Sequence, residues 1–192
     1  MDRFAITPEE HARISDIIIA TRTAGLTGYS TPLFFLNAGQ PGSGKTFLNI
    51  RTIDSVDGDV LECNADTLRD NHPHAVEILR EREDDYPRLT WDAADRWNQA
   101  LIAAGVERQY NILIETTLRK AGQALETLEG MKRNGYRTFL QVLAVPSYLS
   151  WLSIHHRFES QKAMQGWARA VSETDHDDRV LRLETNLPVS LR

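Results

Sequence analysis

The sequence predicts an α/β protein: a parallel sheet with helices on both faces. Three observations carry that prediction. Short apolar runs recur at Leu33–Ala38, Asp59–Cys63, Tyr110–Ile114 and Phe139–Val145. Segments of helical period separate them, and such alternation builds strand–helix–strand units whose crossovers cover a sheet. The first run passes directly into Gly39-Gln40-Pro41-Gly42-Ser43-Gly44-Lys45-Thr46, where a strand should hand over to a helix.

The elements follow in order. Thr7-Pro8-Glu9-Glu10 reads as a helix start, with Thr7 as N-cap and Pro8 at the first helical position. Ile14, Ile17, Ile18 and Thr21 continue it as a stripe. Leu33–Ala38 is nearly continuous in apolar residues, as in a strand buried on both faces. A helix is expected to begin near Gly44. Asp59–Cys63 is the weakest strand. His72–Tyr86 and Leu89–Ala104 read as helices parted near Pro87. Tyr110–Ile114 is a strand ending at Glu115, and Lys120–Arg133 is a helix closed by Asn134-Gly135. Phe139–Val145 is a strand, Pro146 opens a helix containing Trp151, Ile154 and Arg157, and Val180–Leu183 reads as an edge strand. Ligands of such sheets sit at the carboxyl ends of the strands, so Gly39, Asn64, Glu115 and Pro146 are expected to gather on one edge.

A chain of 192 residues suits one domain, 1–192, with residues 1–30 as a helical segment packed on it. The net charge of -5 lacks the basic footprint of a nucleic-acid binder. One cysteine, Cys63, allows no internal disulfide and fits a reducing compartment. No apolar run approaches the roughly 20 residues of a membrane span, and the N-terminus lacks a secretory pattern. A cytoplasmic protein without a membrane or nucleic-acid partner is expected.

The octapeptide has the spacing of a phosphate-binding loop. Glycines let successive backbone N–H groups turn toward one point, and a helix N-terminus adds partial positive charge there. Lys45 is placed to reach the β- and γ-phosphates of ATP, and the Thr46 hydroxyl to bind Mg²⁺. The chain has no Asn-Lys-x-Asp segment, which a guanine-reading switch would use. Acids and arginines beyond the other strands are therefore the place to look for an acceptor site. Asp66 either takes the proton of an incoming hydroxyl or caps a helix. Glu115 either holds Mg²⁺ through water or caps a helix, with Arg119 nearby for substrate anions. Arg157 and Arg169 could clamp charge on a transferring phosphoryl group.

Together these blocks resemble the zeta-toxin family, the kinase halves of bacterial toxin–antitoxin pairs. The resemblance rests on Gly39–Thr46, on Asn64-Ala-Asp-Thr-Leu-Arg-Asp-Asn-His-Pro73 and on Asn111-Ile-Leu-Ile-Glu-Thr-Thr-Leu-Arg119. It continues through Val142–Pro146, His156–Glu159 and Ala168–Ala170, over residues 30 to 178. It implies a P-loop fold of nucleoside-kinase type that phosphorylates a sugar hydroxyl of UDP-N-acetylglucosamine or a related nucleotide sugar, with a small antitoxin as partner. It also implies that Gly39, Gln40, Pro41, Gly42, Ser43, Gly44, Lys45 and Thr46 bind ATP and that Asp66 is the catalytic base. Arg157 and Arg169 would flank the transferred phosphate. Asp66, Thr67, His72, Gln99, Glu115, Thr117 and Arg119 would form the acceptor site, with Thr46 and Glu115 toward Mg²⁺. Gln99 stands where the family carries a substrate-contacting glutamate, which exchanges a charge for a donor group; Asp95 or Asp92 could supply a carboxylate nearby. A kinase of another metabolite or dinucleotide, or a degenerate nucleotide-binding partner of an antitoxin, is the alternative. The sequence also ends soon after the kinase core, so any C-terminal extension of larger members is expected to be lacking.

The remaining conspicuous residues read as structural. Trp91, Trp97, Trp151 and Trp167 are expected in the core or on a groove wall. His72, His74, His155, His156 and His176 lack metal-ligand spacing. Arg80–Asp85 reads as a solvated helix end.

Overall fold

The computed structural model describes residues 3–166, 168 and 171–190. Its elements run α1 (Pro8–Arg22), β1 (Leu33–Gly39), α2 (Lys45–Asp54), β2 (Leu61–Cys63), α3 (Ala65–Leu68), α4 (Ala75–Glu81), α5 (Tyr86–Glu107), β3 (Ile112–Thr116), α6 (Ala121–Arg133), β4 (Arg137–Leu143), α7 (Ser147–Gln165) and α8 (Glu173–Ser190). The strands form a four-stranded sheet in the order β2-β3-β1-β4. The chain divides into two compact units, residues 1–32 with 59–112, and residues 33–58 with 113–192. Among the described residues, no helix is long and apolar enough to cross a membrane.

In the first unit, α1 begins as expected. The Thr7 hydroxyl accepts from the Glu10 N–H, and the Glu10 carboxylate accepts from the Thr7 N–H, each at 3.2 Å. This reciprocal cap satisfies donors that a helix start leaves open. The buried stripe is narrower than predicted. Ile14 and Ile18, four residues apart and stacked on one face of the helix, are buried, whereas Ile17 is 53% exposed and Thr21 faces solvent. The predicted break at Pro87 is also displaced. The chain leaves helical geometry at Arg82 (φ -146°, ψ 51°), and Glu83–Asp85 forms a 3₁₀ turn. Pro87 then lies in the first turn of α5, where its missing N–H costs no hydrogen bond. Phe4, Ala75, Ile78 and Tyr86 pack with Leu79 and Leu89. Trp97 is fully buried on α5 and donates its indole N–H to the His11 carbonyl at 3.1 Å. A Cβ at Gly105 would lie 2.7 Å from the Leu61 side chain, so the missing side chain lets α5 approach β2.

In the second unit, β1 and β4 pair in parallel, from Leu33 opposite Arg137 to Gly39 opposite Leu143. β1 has strands on both sides and is buried along nearly its whole length, as its continuous apolar run predicts. Phe35 stacks on Phe139 at 5.2 Å. Val180–Leu183, predicted as an edge strand, is helical and lies within α8. Ion pairs four residues apart, Asp175–Arg179 and Asp178–Arg182, support the helix. His176 and Leu183 are buried, two turns apart on one face, while Leu181 is exposed.

Candidate active site

The Gly39–Thr46 loop joins β1 to α2, as its sequence requires. Gly44 sits in the left-handed region (φ 92°) as the N-cap of α2 and provides no side-chain cap. The N-cap of α2 thus gives its first turn no side-chain hydrogen bond. Gly39 and Gly42 are fixed by close approach rather than by flexibility. A Cβ on Gly39 would come within 2.5 Å of Ser43 Oγ and 2.8 Å of the Leu143 carbonyl. A Cβ on Gly42, at φ 78°, would lie 2.1 Å from the Ser150 carbonyl on α7. Gln40 is buried and donates to the Val145 carbonyl just before α7. Ser43 Oγ and Gln40 Oε1 are buried without a hydrogen-bond partner. The uncapped helix start and the unpartnered Ser43 hydroxyl fit a phosphate group.

The inward face of α2 is polar. Lys45, Asn49 and Thr52 are its buried residues, one turn apart. Asn37, a polar residue inside the apolar β1, donates to Asn49 Oδ1 at 2.9 Å and Thr52 Oγ1 at 3.1 Å. Asn49 donates to Glu115 Oε2 at 3.2 Å. Lys45 Nζ donates to the Gly39 carbonyl at 2.8 Å and the Gln40 carbonyl at 3.1 Å, and lies 3.8 Å from Glu115 Oε1. Burial lowers the Lys45 pKa from its ordinary value, Glu115 opposes that shift, and the charges of Arg157 and Arg179 add to it. The predicted Lys45, Glu115 and Arg157 thus share one electrostatic environment. Glu115 lies within β3 and caps no helix, which removes that alternative. Thr46, in the first turn of α2, is exposed, and Pro41 is half-buried.

Thr117 and Arg119 follow β3 in a constrained turn. Leu118 adopts φ 51° while fully buried, an unfavourable conformation for a branched side chain. Its N–H donates to Thr116 Oγ1 at 3.2 Å, and Asn186 of α8 donates to the Leu118 and Arg119 carbonyls at 2.8 and 3.1 Å. Arg119 and Arg157 are exposed. Arg169 and Trp167 lie outside the described residues.

In the first unit, Asn64 caps α3, its side chain accepting from the Asp66 N–H at 2.9 Å. Asp66 is therefore in the first turn, and its carboxylate is spared from capping. Arg69 Nε and Nη2 both meet Asp66 Oδ1 at 2.9 Å. Thr67 is exposed and His72 buried, with His72 Nδ1 accepting from the His74 N–H at 3.2 Å. Gln99 is exposed on α5. Trp91 is 49% exposed, so it is not a core residue. Sequence reasoning missed Asn37, Asn49, Thr52, Arg69 and Asn186. Asn37 was marked by its polarity within an apolar run, and Arg69 by its three-residue spacing from Asp66; Asn186 carries no such signal.

Comparison with known proteins places the chain in a family. A profile described as Zeta toxin matches residues 18–189. Toxin zeta of Enterococcus hirae is 33% identical over 164 residues, covering 85% of this chain and 57% of that protein. Toxin PezT of Streptococcus pneumoniae serotype 4 is 31% identical over 165 residues, covering 85% of this chain and 65% of that protein. The chain thus spans less than two thirds of the length of these relatives. A solved structure from the PezAT chromosomal toxin–antitoxin system of Streptococcus pneumoniae matches with a TM-score of 0.81 and 26% identity, over 96% of this chain and 75% of that one. A chain of the AvrRxo1-ORF1:-ORF2 complex shares the fold alone, with a TM-score of 0.65 at 15% identity. With its phosphate loop seated between β1 and α2, and with matches along most of its length, the chain belongs to the zeta-toxin family.

Proposed function

We propose that this chain is an ATP-dependent phosphotransferase that acts on a hydroxyl of a nucleotide sugar resembling UDP-N-acetylglucosamine, and that it works in the cytoplasm as a toxin restrained by a small antitoxin. The observation that carries the reading is the loop itself, with Lys45 held between two loop carbonyls and 3.8 Å from Glu115. Gly39, Gln40, Pro41, Gly42, Ser43 and Gly44 wrap the phosphates of ATP, with backbone N–H groups from the residues other than Pro41 as donors, and Lys45 neutralises the phosphate charge. Among the described residues, no group of three or more His, Cys, Asp or Glu gathers for a metal. Thr46 and Glu115 would face Mg²⁺, a cation that keeps most of its shell as water and phosphate oxygen. Bound Mg²⁺ would supply charge neutralisation on the phosphates.

Asp66 orients the acceptor hydroxyl and takes its proton. The bond from the γ-phosphorus to the oxygen of ADP breaks as the bond to the acceptor oxygen forms. Arg157 and Arg169 hold charge on the transferring group. Thr67, His72, Gln99, Glu115, Thr117 and Arg119 contact the acceptor. Gln99 favours a second acceptor class, another nucleotide sugar or a dinucleotide, because an amide donates where a carboxylate only accepts. Exposed Phe47 and Ile50 on α2, with Tyr148, Leu149 and Leu152 on α7, offer an antitoxin apolar surface to cover.

The test incubates the protein with ATP, Mg²⁺ and UDP-N-acetylglucosamine, and in parallel with a panel of nucleotide sugars and dinucleotides. A product heavier by one phosphoryl group in the mass spectrum supports the reading. No phosphorylated product from any acceptor contradicts it.

A further inference from the structure

Asp66 and Arg69 are three residues apart, a spacing at which exposed ion pairs are common and contribute little. This pair differs in which partner is buried. Arg69 is 7% exposed, whereas the Asp66 side chain is 44% exposed. The cation is anchored and the carboxylate is presented. Arg69 uses two nitrogens, Nε and Nη2, on the single oxygen Oδ1, each at 2.9 Å. Its Nη1 donates to the Pro87 carbonyl and to Thr90 Oγ1. Thr90 Oγ1 in turn donates to the Tyr86 carbonyl at 2.7 Å, so it is free to accept from Arg69. The guanidinium also lies over the Trp91 ring, 5.1 Å from its centre. The first turns of α5 thus form a socket for one side chain.

Burying a guanidinium is costly unless its donors are used. An arginine that only balanced surface charge would stay in water. We propose that Arg69 is a positioning residue that fixes the Asp66 carboxylate, and that Thr90 and Trp91 hold Arg69 in the orientation this requires. The inference rests on the reading of Asp66 as the base. A base is effective only when its oxygen is within reach and aligned. A carboxylate gripped at one oxygen has one orientation, and a neighbouring cation keeps it ionised. The grip therefore favours alignment over basicity, which suits a base that orients a hydroxyl and takes its proton late.

The experiment compares the full chain with Arg69→Met, Arg69→Lys and Asp66→Asn. It measures transfer from ATP to UDP-N-acetylglucosamine, and separately titrates the Asp66 carboxyl by ¹³C NMR without nucleotide. Arg69→Met is expected to lower kcat by about tenfold or more while KM for ATP stays within about twofold. The acidic limb of its pH–rate profile and the NMR midpoint of Asp66 are both expected to rise by about one pH unit. Arg69→Lys should restore the midpoint but only part of kcat, because an ammonium has no two-nitrogen fork. If Arg69→Met does not fold, Thr90→Val gives the same comparison with a smaller change in the same direction.

An unchanged Asp66 midpoint in Arg69→Met overturns the inference, as does wild-type kcat or a loss that vanishes once the folded fraction is counted. Persistent transfer by Asp66→Asn removes the base role instead, and the NMR midpoint still decides whether Arg69 governs Asp66.

Discussion

Lys45 is a buried amine whose environment is tuned for one task. Two carbonyls and a carboxylate offset the desolvation of its charge, and an arriving phosphate would add a stronger partner. Lys45→Ala should lose most ATP affinity by calorimetry and should fail to arrest growth when expressed; wild-type affinity in that variant would count against the loop as the ATP site. Cys63 shows burial acting beside one weak contact, its thiol donating to the Leu61 carbonyl at 3.8 Å. It is 1% exposed, and desolvation is the leading cause that raises its pKa to about 12. The thiol therefore stays protonated and unreactive in the folded chain. Iodoacetamide at pH 8 should leave native Cys63 unmodified and alkylate it after unfolding, as read by mass. The same shift links to stability. The folded thiol holds its proton where the unfolded one, near pH 9, has lost it, so its contribution is intact below pH 9 and declines as pH rises toward 12.

Between elements, the loop and α7 are matched at one glycine. Gly42→Ala places a methyl 2.1 Å from the Ser150 carbonyl at a positive φ, and should cost about 3 kcal/mol in denaturant unfolding while weakening nucleotide binding. Gly122→Ala in α6, where a Cβ meets nothing within 4 Å, should instead stabilise by about 0.5–1 kcal/mol. Equal effects at the two positions would contradict the close-packed loop. α7 is itself tied to α8, since His176 Nε2 lies 2.8 Å from Ser150 Oγ within a buried contact. β1, the loop and the α1 cap were legible in sequence because each is decided locally, by an apolar run, by glycines or by one reciprocal cap. α8 was not. Val180-Leu181-Arg182-Leu183 reads as a strand when taken alone, and its helix is set by burial of His176 and Leu183 and by ion pairs that start outside that window. The burial of Arg69 was not legible, because the residues that hold it, Pro87, Thr90 and Trp91, lie far along the chain.

At the scale of the whole molecule, each compact unit is built from two separate stretches of chain. No linker of biased composition marks their boundary. The assignment to the zeta-toxin family was legible because its motifs are short and contiguous. The acceptor was not, because recognition of a small molecule depends on side chains scattered along a chain rather than on one contiguous motif. Under the proposed function, Asp66 activates a hydroxyl for the phosphoryl group held by the Lys45 loop. Single-turnover transfer from γ-labelled ATP, measured beside calorimetric ATP binding in wild type and Asp66→Asn, tests it most directly. Transfer by Asp66→Asn should fall at least about a hundredfold with ATP affinity unchanged within about twofold. Transfer by Asp66→Asn at the wild-type rate would contradict it.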